Sequence, residues 1–229
     1  MNPAWQDFLQ QQGAEFMTET FADGTVHPRL QSFGNANRER RIPPQGNIIC
    51  DLSHIGLIRV SGEDAEGFLQ NQFTNDISQV SEQRSQLSGY CNHKGRLLAN
   101  FRIIKRNGDF YLRLSRDLVA PILKKLRMYV LMSKVALEDA SSQLVHFGFS
   151  GPEADKILAK RTEKSFGSNN APDTINEIIQ HQSLSLIRLP GVVPRYEIFG
   201  ELEDAITLWQ ALDVDGAAVS HQSWQYLNI

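Results

Sequence analysis

Between residues 89 and 103 the chain reads GYCNHKGRLLANFRI, and residues 93–106 hold Lys94, Arg96, Arg102, Lys105 and Arg106 without a single carboxylate. Lys94 and Arg96 form a candidate anion subsite, able to receive a carboxylate-rich ligand through charge-assisted hydrogen bonds. The same residues also describe a sheet edge and hairpin tip protected by charge. Cys91 lies close to these cations, which could favour a thiolate, although an inert thiol on a strand is the plainer reading. Other chemistries lack their residues. His27, His54, His93, His146, His181 and His221 are scattered, and no Cys-x-x-Cys occurs, so no metal site is expected. The chain also has no phosphate loop, no Gly-x-Gly-x-x-Gly and no Gly-x-Ser-x-Gly.

Local elements must hold the basic stretch in place. QLSGYC and RLLANFRIIKR flank Asn92-His93-Lys94-Gly95, which predicts a hairpin whose glycine takes a positive φ. Asn107-Gly108-Asp109 predicts a second turn, before a strand in which Phe110, Leu112 and Leu114 alternate. IRVSGEDAEGFLQNQF reads as a strand running into a helix capped by Ser61. DLVAPILKKLRMYVLM has helical period, with Leu118, Ile122, Leu126, Tyr129 and Val130 as its buried stripe. Trp5, Phe8 and Leu9 share a face of an N-terminal helix ended by Gly13. The polar segment from Thr20 to Asn47 is expected to be a loose linker. Later come strands in SKVALED, LVHFGFSG, LSLIRLPG and RYEIFG, and helices from Pro152 to about Lys160 and in LEDAITLWQAL; SFGSNNAPD reads as a loop. Hairpins with interspersed helices point to an α+β fold with antiparallel sheets.

Composition sets outer bounds. The 229 residues are 41% hydrophobic and 21% charged, as in ordinary globular chains. A net charge of −3 supplies no global field for nucleic acid or an anionic membrane, so neither is expected as a direct partner. No run approaches the roughly 20 apolar residues of a spanning helix. The N-terminus lacks the pattern of a secretory signal, and two cysteines suit a reducing cytoplasm better than a disulfide framework.

Three blocks, DLSHIGLIRVSGEDAEGFLQNQFTNDI, GYCNHKGRLLANFRI and YVLMSKVAL, occur in that order, and SWQYLNI follows near residue 229. Together they resemble YgfZ-type folate-binding proteins, relatives of the glycine-cleavage T-protein aminomethyltransferase, over roughly residues 48–229. The resemblance implies ferredoxin-like subdomains of the aminomethyltransferase folate-binding fold. Its division is an N-terminal helix and linker at 1–47, one subdomain at 48–140 and a second at 141–229. It implies tetrahydrofolate or a derivative as ligand, held by Trp224, Asn100, Asn92, Tyr90 and Arg195, and iron–sulfur enzymes as partners.

Departures from the family pattern shape the functional expectation. Where aminomethyltransferases carry aspartates, this chain has Leu98-Ala99-Asn100, and an amide neither holds a negative charge nor exchanges a proton. Ile55 replaces an aromatic folate contact, and Val193 stands where T-proteins use a glutamate on the pterin amine; Glu197 could serve only if its strand turns it inward. The Lys-Gly-Cys-x-x-Gly-Gln motif of YgfZ-type proteins is absent, and residues 1–229 are expected to be a shortened or naturally short form without the C-terminal barrel. The first expectation is therefore a non-catalytic tetrahydrofolate-binding module supporting iron–sulfur enzyme maintenance and tRNA modification. The alternatives are a folate-dependent aminomethyl or one-carbon transferase using Asp76 or Glu197, and an interaction scaffold with a decayed folate pocket.

Overall fold

The computed structural model describes residues 1–20, 24–166 and 175–228. In chain order the elements are α1 (Pro3–Gln11), β1 (Glu15–Thr20), β2 (Val26–Ser32), α2 (Ala36–Glu39), β3 (Ile48–Asp51), β4 (Ile55–Ser61) and α3 (Ala65–Gln70). Next come β5 (Gln86–Cys91), β6 (Leu97–Arg106), β7 (Asp109–Ser115), α4 (Val119–Arg127), β8 (Ala136–Asp139), β9 (Val145–Ser150) and α5 (Ala154–Thr162). The rest are β10 (Ile178–His181), β11 (Leu184–Leu189), β12 (Arg195–Gly200), α6 (Leu202–Asp213), β13 (Ala217–Val219) and α7 (His221–Gln225). This is an α+β fold.

The chain forms two compact units: Met1–His54 with Ser142–Ile229, and Ile55–Ser141. In the first, six strands run in the order β10-β11-β12-β9-β3-β13, all antiparallel except the β3–β13 pair. One sheet face presents Ile49, Phe147, Phe149, Leu186, Tyr196 and Ile198 to a core shared with α1, α5 and α6. The Trp5 indole stacks on Phe147 at 5.9 Å and meets Trp209 edge-on at 5.3 Å. Burial of each such side chain contributes about 1.5–3 kcal/mol. The α1 helix starts where sequence demands: the Asn2 side chain accepts from the Ala4 and Trp5 amides, and Pro3 occupies the first turn.

The second unit is a fully antiparallel sheet ordered β5-β6-β7-β4-β8. Alternation works as expected: Phe110, Leu112 and Leu114 of β7 join Phe101, Ile103, Ile58 and Val60 in a core covered by α3 and α4. Asn107 and Gly108 both take positive φ, 53° and 83°, as a type I′ hairpin turn requires.

Four expectations are corrected. The supposed linker from Thr20 to Asn47 contains β2, paired with β1, and α2. These elements are short and mostly polar, so neither strand shows the alternation that periodicity detects. Residues Met1–His54 also pack with the C-terminal half instead of standing apart, because Trp5, Phe8 and Leu9 complete its aromatic core. Ser61 ends β4, and α3 is entered from Asp64. The intervening Gly62 has φ +114° and its Cα lies so near the Lys134 carbonyl that an added Cβ would sit 2.1 Å from that oxygen. Finally, α4 stops at Arg127; Ile122 and Leu126 are buried, but Tyr129 is 53% exposed. The stretch read as the SFGSNNAPD loop lies mostly outside the described residues.

Candidate functional site

The six-stranded sheet has a second face, on which charged groups sit among apolar ones such as Ile187 and Phe199. Side chains alternate along a strand, so burying Tyr196 and Ile198 on the apolar core sends Arg195, Glu197 and Phe199 the other way. Their neighbours on β9 are Ser150, Gly148 and His146. The charged groups of this face are shut off from water: Glu197 is 1% exposed, Arg195 4% and His146 6%. The His146 Nε2 lies 3.5 Å from Glu197 Oε2, and its ring stacks on Phe199 at 3.9 Å. Buried charged groups require such partners, because desolvation otherwise costs several kcal/mol.

Trp224 lies on this face. Its indole covers Gly148, where an added Cβ would meet the ring at 2.4 Å, and the Arg195 guanidinium sits 4.4 Å from the indole centroid. Arg195 also donates to the Leu227 carbonyl at 3.2 Å. The Trp224 Nε1 is buried and has no hydrogen-bond partner among the described residues. Placement of α7 comes from the segment expected to be loose: Glu39 accepts from the Ser220 amide at 2.8 Å and from the Phe33 amide at 2.7 Å. Arg40 donates to Gln222 at 2.7 Å, and Arg29 contacts His221. Burial, reinforced by the Arg29 charge, lowers the His221 pKa, keeping that contact neutral on the imidazole side. Beside this region Asp51 accepts from Trp5 Nε1 at 2.8 Å and Ser53 Oγ at 2.7 Å. Its carboxyl pKa is nevertheless raised, because burial outweighs those two hydrogen bonds. Burial likewise pushes the neighbouring Cys50 thiol well up, aided by Asp51.

In the other unit, the β5–β6 hairpin closes as predicted, with Gly95 at φ +74°. Asn92 has a structural task here: its Oδ1 accepts from the Lys94 and Arg96 amides at 2.9 and 3.0 Å. Lys94 and Arg96 are exposed on the tip. Tyr90 and Asn92 line a cleft of about 390 Å³ together with Gln72, Leu98, Lys125 and Tyr129. Burial raises the Tyr90 phenol pKa, with a smaller contribution from Tyr129. Asn100 is exposed, pairs with Gly89 across the ladder and is not part of that lining. Of the expected ligand residues, the structure thus places Trp224 with Arg195 in one unit and Tyr90 with Asn92 in the other.

Residues 5–223 match the family model described as the GCVT N-terminal domain. The chain belongs to the GCVT N-terminal domain family. Within this family, it is 26% identical over 181 residues to the tRNA-modifying protein YgfZ of Colwellia psychrerythraea, covering 79% of this chain and 53% of that protein. It is 28% identical over 179 residues to an aminomethyltransferase of Caldanaerobacter subterraneus, covering 72% and 45%. The chain spans about half the length of these curated relatives. A crystal structure of the glycine cleavage system aminomethyltransferase T from Bartonella henselae matches with a TM-score of 0.75 at 18% identity. That match covers 99% of this chain and 61% of the other, and establishes the shared fold.

Sequence reasoning underrated two residues of this buried group. Glu197 does turn inward, and RYEIFG could have shown it: Tyr196 and Ile198 are the larger apolar residues, which consigns Arg195 and Glu197 to the opposite face. His146 stands among scattered histidines in the sequence because its partner lies about 50 positions away, joined only by strand pairing. Asp76, the other carboxylate considered, caps a short 3₁₀ turn, accepting from the Ser78 amide at 3.1 Å. Hydrogen bonds from Ser78 lower its pKa, which suits a cap and not a proton donor.

Proposed function

We propose that this chain is a non-catalytic tetrahydrofolate-binding module that supports iron–sulfur enzyme maintenance and, through it, tRNA modification. The observation carrying the reading is the buried group of Glu197, Arg195 and Trp224 on one sheet face. A pterin ring offers a flat π-surface and an amine-bearing edge. The indole suits the first, and a buried carboxylate suits the second. The unpartnered Trp224 Nε1 is a donor that a ligand acceptor would satisfy. These residues fit the folate that the family implies, and they would hold and orient it. Leu98-Ala99-Asn100 offers no carboxylate, which supports binding without turnover. The kinship with proteins named tRNA-modifying YgfZ supports the tRNA side of the proposal.

The test is a titration with tetrahydrofolate and its 5-formyl derivative, followed by tryptophan emission and by calorimetry. Saturable binding whose emission change disappears in Trp224→Phe is the expected outcome. Absence of both signals would replace the module by an interaction scaffold.

A second reading gains from one observation, the 3.5 Å approach of His146 to the inward-facing Glu197. The pair would exchange a proton, as a one-carbon transferase needs, once ligand binding drew the two atoms to within about 2.6–3.2 Å. Release of a one-carbon unit from an aminomethyl donor by the wild type, lost in Glu197→Gln while folate still binds, would establish the transferase.

A further inference from the structure

Charge is unevenly divided between the two units. Ile55–Ser141 holds thirteen Lys and Arg against nine Asp and Glu, a net +4, whereas the remainder holds ten against seventeen, a net −7. The overall −3 therefore conceals a basic unit. Within it Arg59, Lys105, Arg116 and Lys134 are already engaged in salt bridges. Lys94, Arg96, Lys124, Lys125 and Arg127 are exposed and have no salt bridge among the described residues. These five cations lie on the two elements that wall the 390 Å³ cleft, the β5–β6 hairpin and α4.

The cleft combines three features. No carboxylate lines it, and Lys125 is on its wall. Tyr129 and Met128, 53% and 60% exposed, give it flat and adaptable apolar surface that no other part of the unit covers. Amides from Asn71 and Gln72 add donors and acceptors of the kind that read base edges. A cavity of this volume accepts a nucleotide-sized ligand. A stacking side chain within a basic groove is the arrangement by which proteins hold single strands.

We propose that this cleft binds a single-stranded polynucleotide, with one base against Tyr129 and the flanking phosphates on Lys124, Lys125 and the hairpin cations. The proposal revises the expectation of no direct nucleic-acid contact, which rested on net charge alone. It does not use Glu197, Arg195 or Trp224, the group that carries the folate reading, although Tyr90 and Asn92 of the cleft wall and the hairpin cations are also expected folate contacts.

Two measurements on the full chain test it. The first is anisotropy of a fluorescein-labelled twelve-nucleotide oligouridylate, at low and at moderate salt. The second is alkylation of Cys91, which lines the cleft and is partly exposed while Cys50 is fully buried, so that it alone reports occupancy. The oligonucleotide should bind saturably, weaken steeply with salt and slow Cys91 alkylation. Tyr129→Ala should weaken it roughly fivefold or more. The Lys124→Glu/Lys125→Glu double variant should weaken it roughly tenfold or more and flatten the salt dependence. Both sites are exposed, so circular dichroism should not change, and Trp224→Phe should leave binding intact. Four results would overturn the assignment: no saturable binding at low salt, full binding by both variants, equal protection of Cys91 by uridine monophosphate, or equal competition by oligoglutamate. The third would assign the cleft to free nucleotides and the fourth to an acidic polypeptide.

Discussion

The two units solve the same packing problem differently. Ile55–Ser141 buries one apolar sheet face under two helices and carries its chemistry outside, as cations around an open cleft. The discontinuous unit buries an apolar face under α1, α5 and α6 and also buries charged groups on the opposite face, with Arg195, Glu197 and His146 almost inaccessible. Exposed charges act at long range and are screened by salt, whereas buried charges act on what touches them. The first arrangement suits capture of a polyanion. The second suits recognition of a small ligand whose hydrogen bonds replace lost water.

The contrast can be broken first at the aromatic core. Phe147→Ala should cost about 3–5 kcal/mol, because it empties the centre of the Trp5–Phe147–Trp209 cluster. Hydrogen exchange should then accelerate in β3, β9 and β12 well before β6 and β7; equal loss in both sheets would mean that the units unfold as one. Gly148→Ala should cost about 1–3 kcal/mol by displacing the Trp224 ring, with a red shift of its emission and weaker folate binding. Unchanged emission would remove the indole from the sheet face that carries Arg195 and Glu197.

Asp51→Asn probes the buried carboxyl more gently. Because the folded-state pKa is raised above the ordinary 3.8, the stability that protonated Asp51 contributes is present below that value and is lost as pH climbs past the raised one. An asparagine lacks this dependence. The melting temperature of the wild type relative to Asp51→Asn should therefore fall as pH rises from about 4 toward 7, and a constant difference would contradict the raised pKa. Smallest of all, Tyr129→Ala should change stability by no more than about 0.5 kcal/mol, since the ring is exposed. A larger loss in thermal denaturation would give Tyr129 a packing role and weaken its use as a stacking surface.

Legibility in the sequence followed the range of the interaction. The hairpin tip, the Asn107-Gly108 turn, the β7 alternation and the left-handed Gly13 that ends α1 all depend on neighbours within a few residues, and each forms as read. The stretch from Thr20 to Asn47 misled because its order comes from distant partners: Glu39 is fixed by the Ser220 amide, 181 positions away. Tyr129 misled for the opposite reason. Its spacing continued the helical stripe, yet the helix had already ended at Arg127.

The sequence alone determined the two hairpin turns, the alternating strand β7 and the amphipathic helices α1 and α6, because backbone sterics and side-chain periodicity are local properties. Only the tertiary structure decided that Glu197 and His146 meet, that Trp224 lies over Gly148, and that Met1–His54 joins the C-terminal half. Those outcomes come from burial shared between residues far apart in the chain, where the gain from excluding water belongs to the assembled sheet and to no single segment.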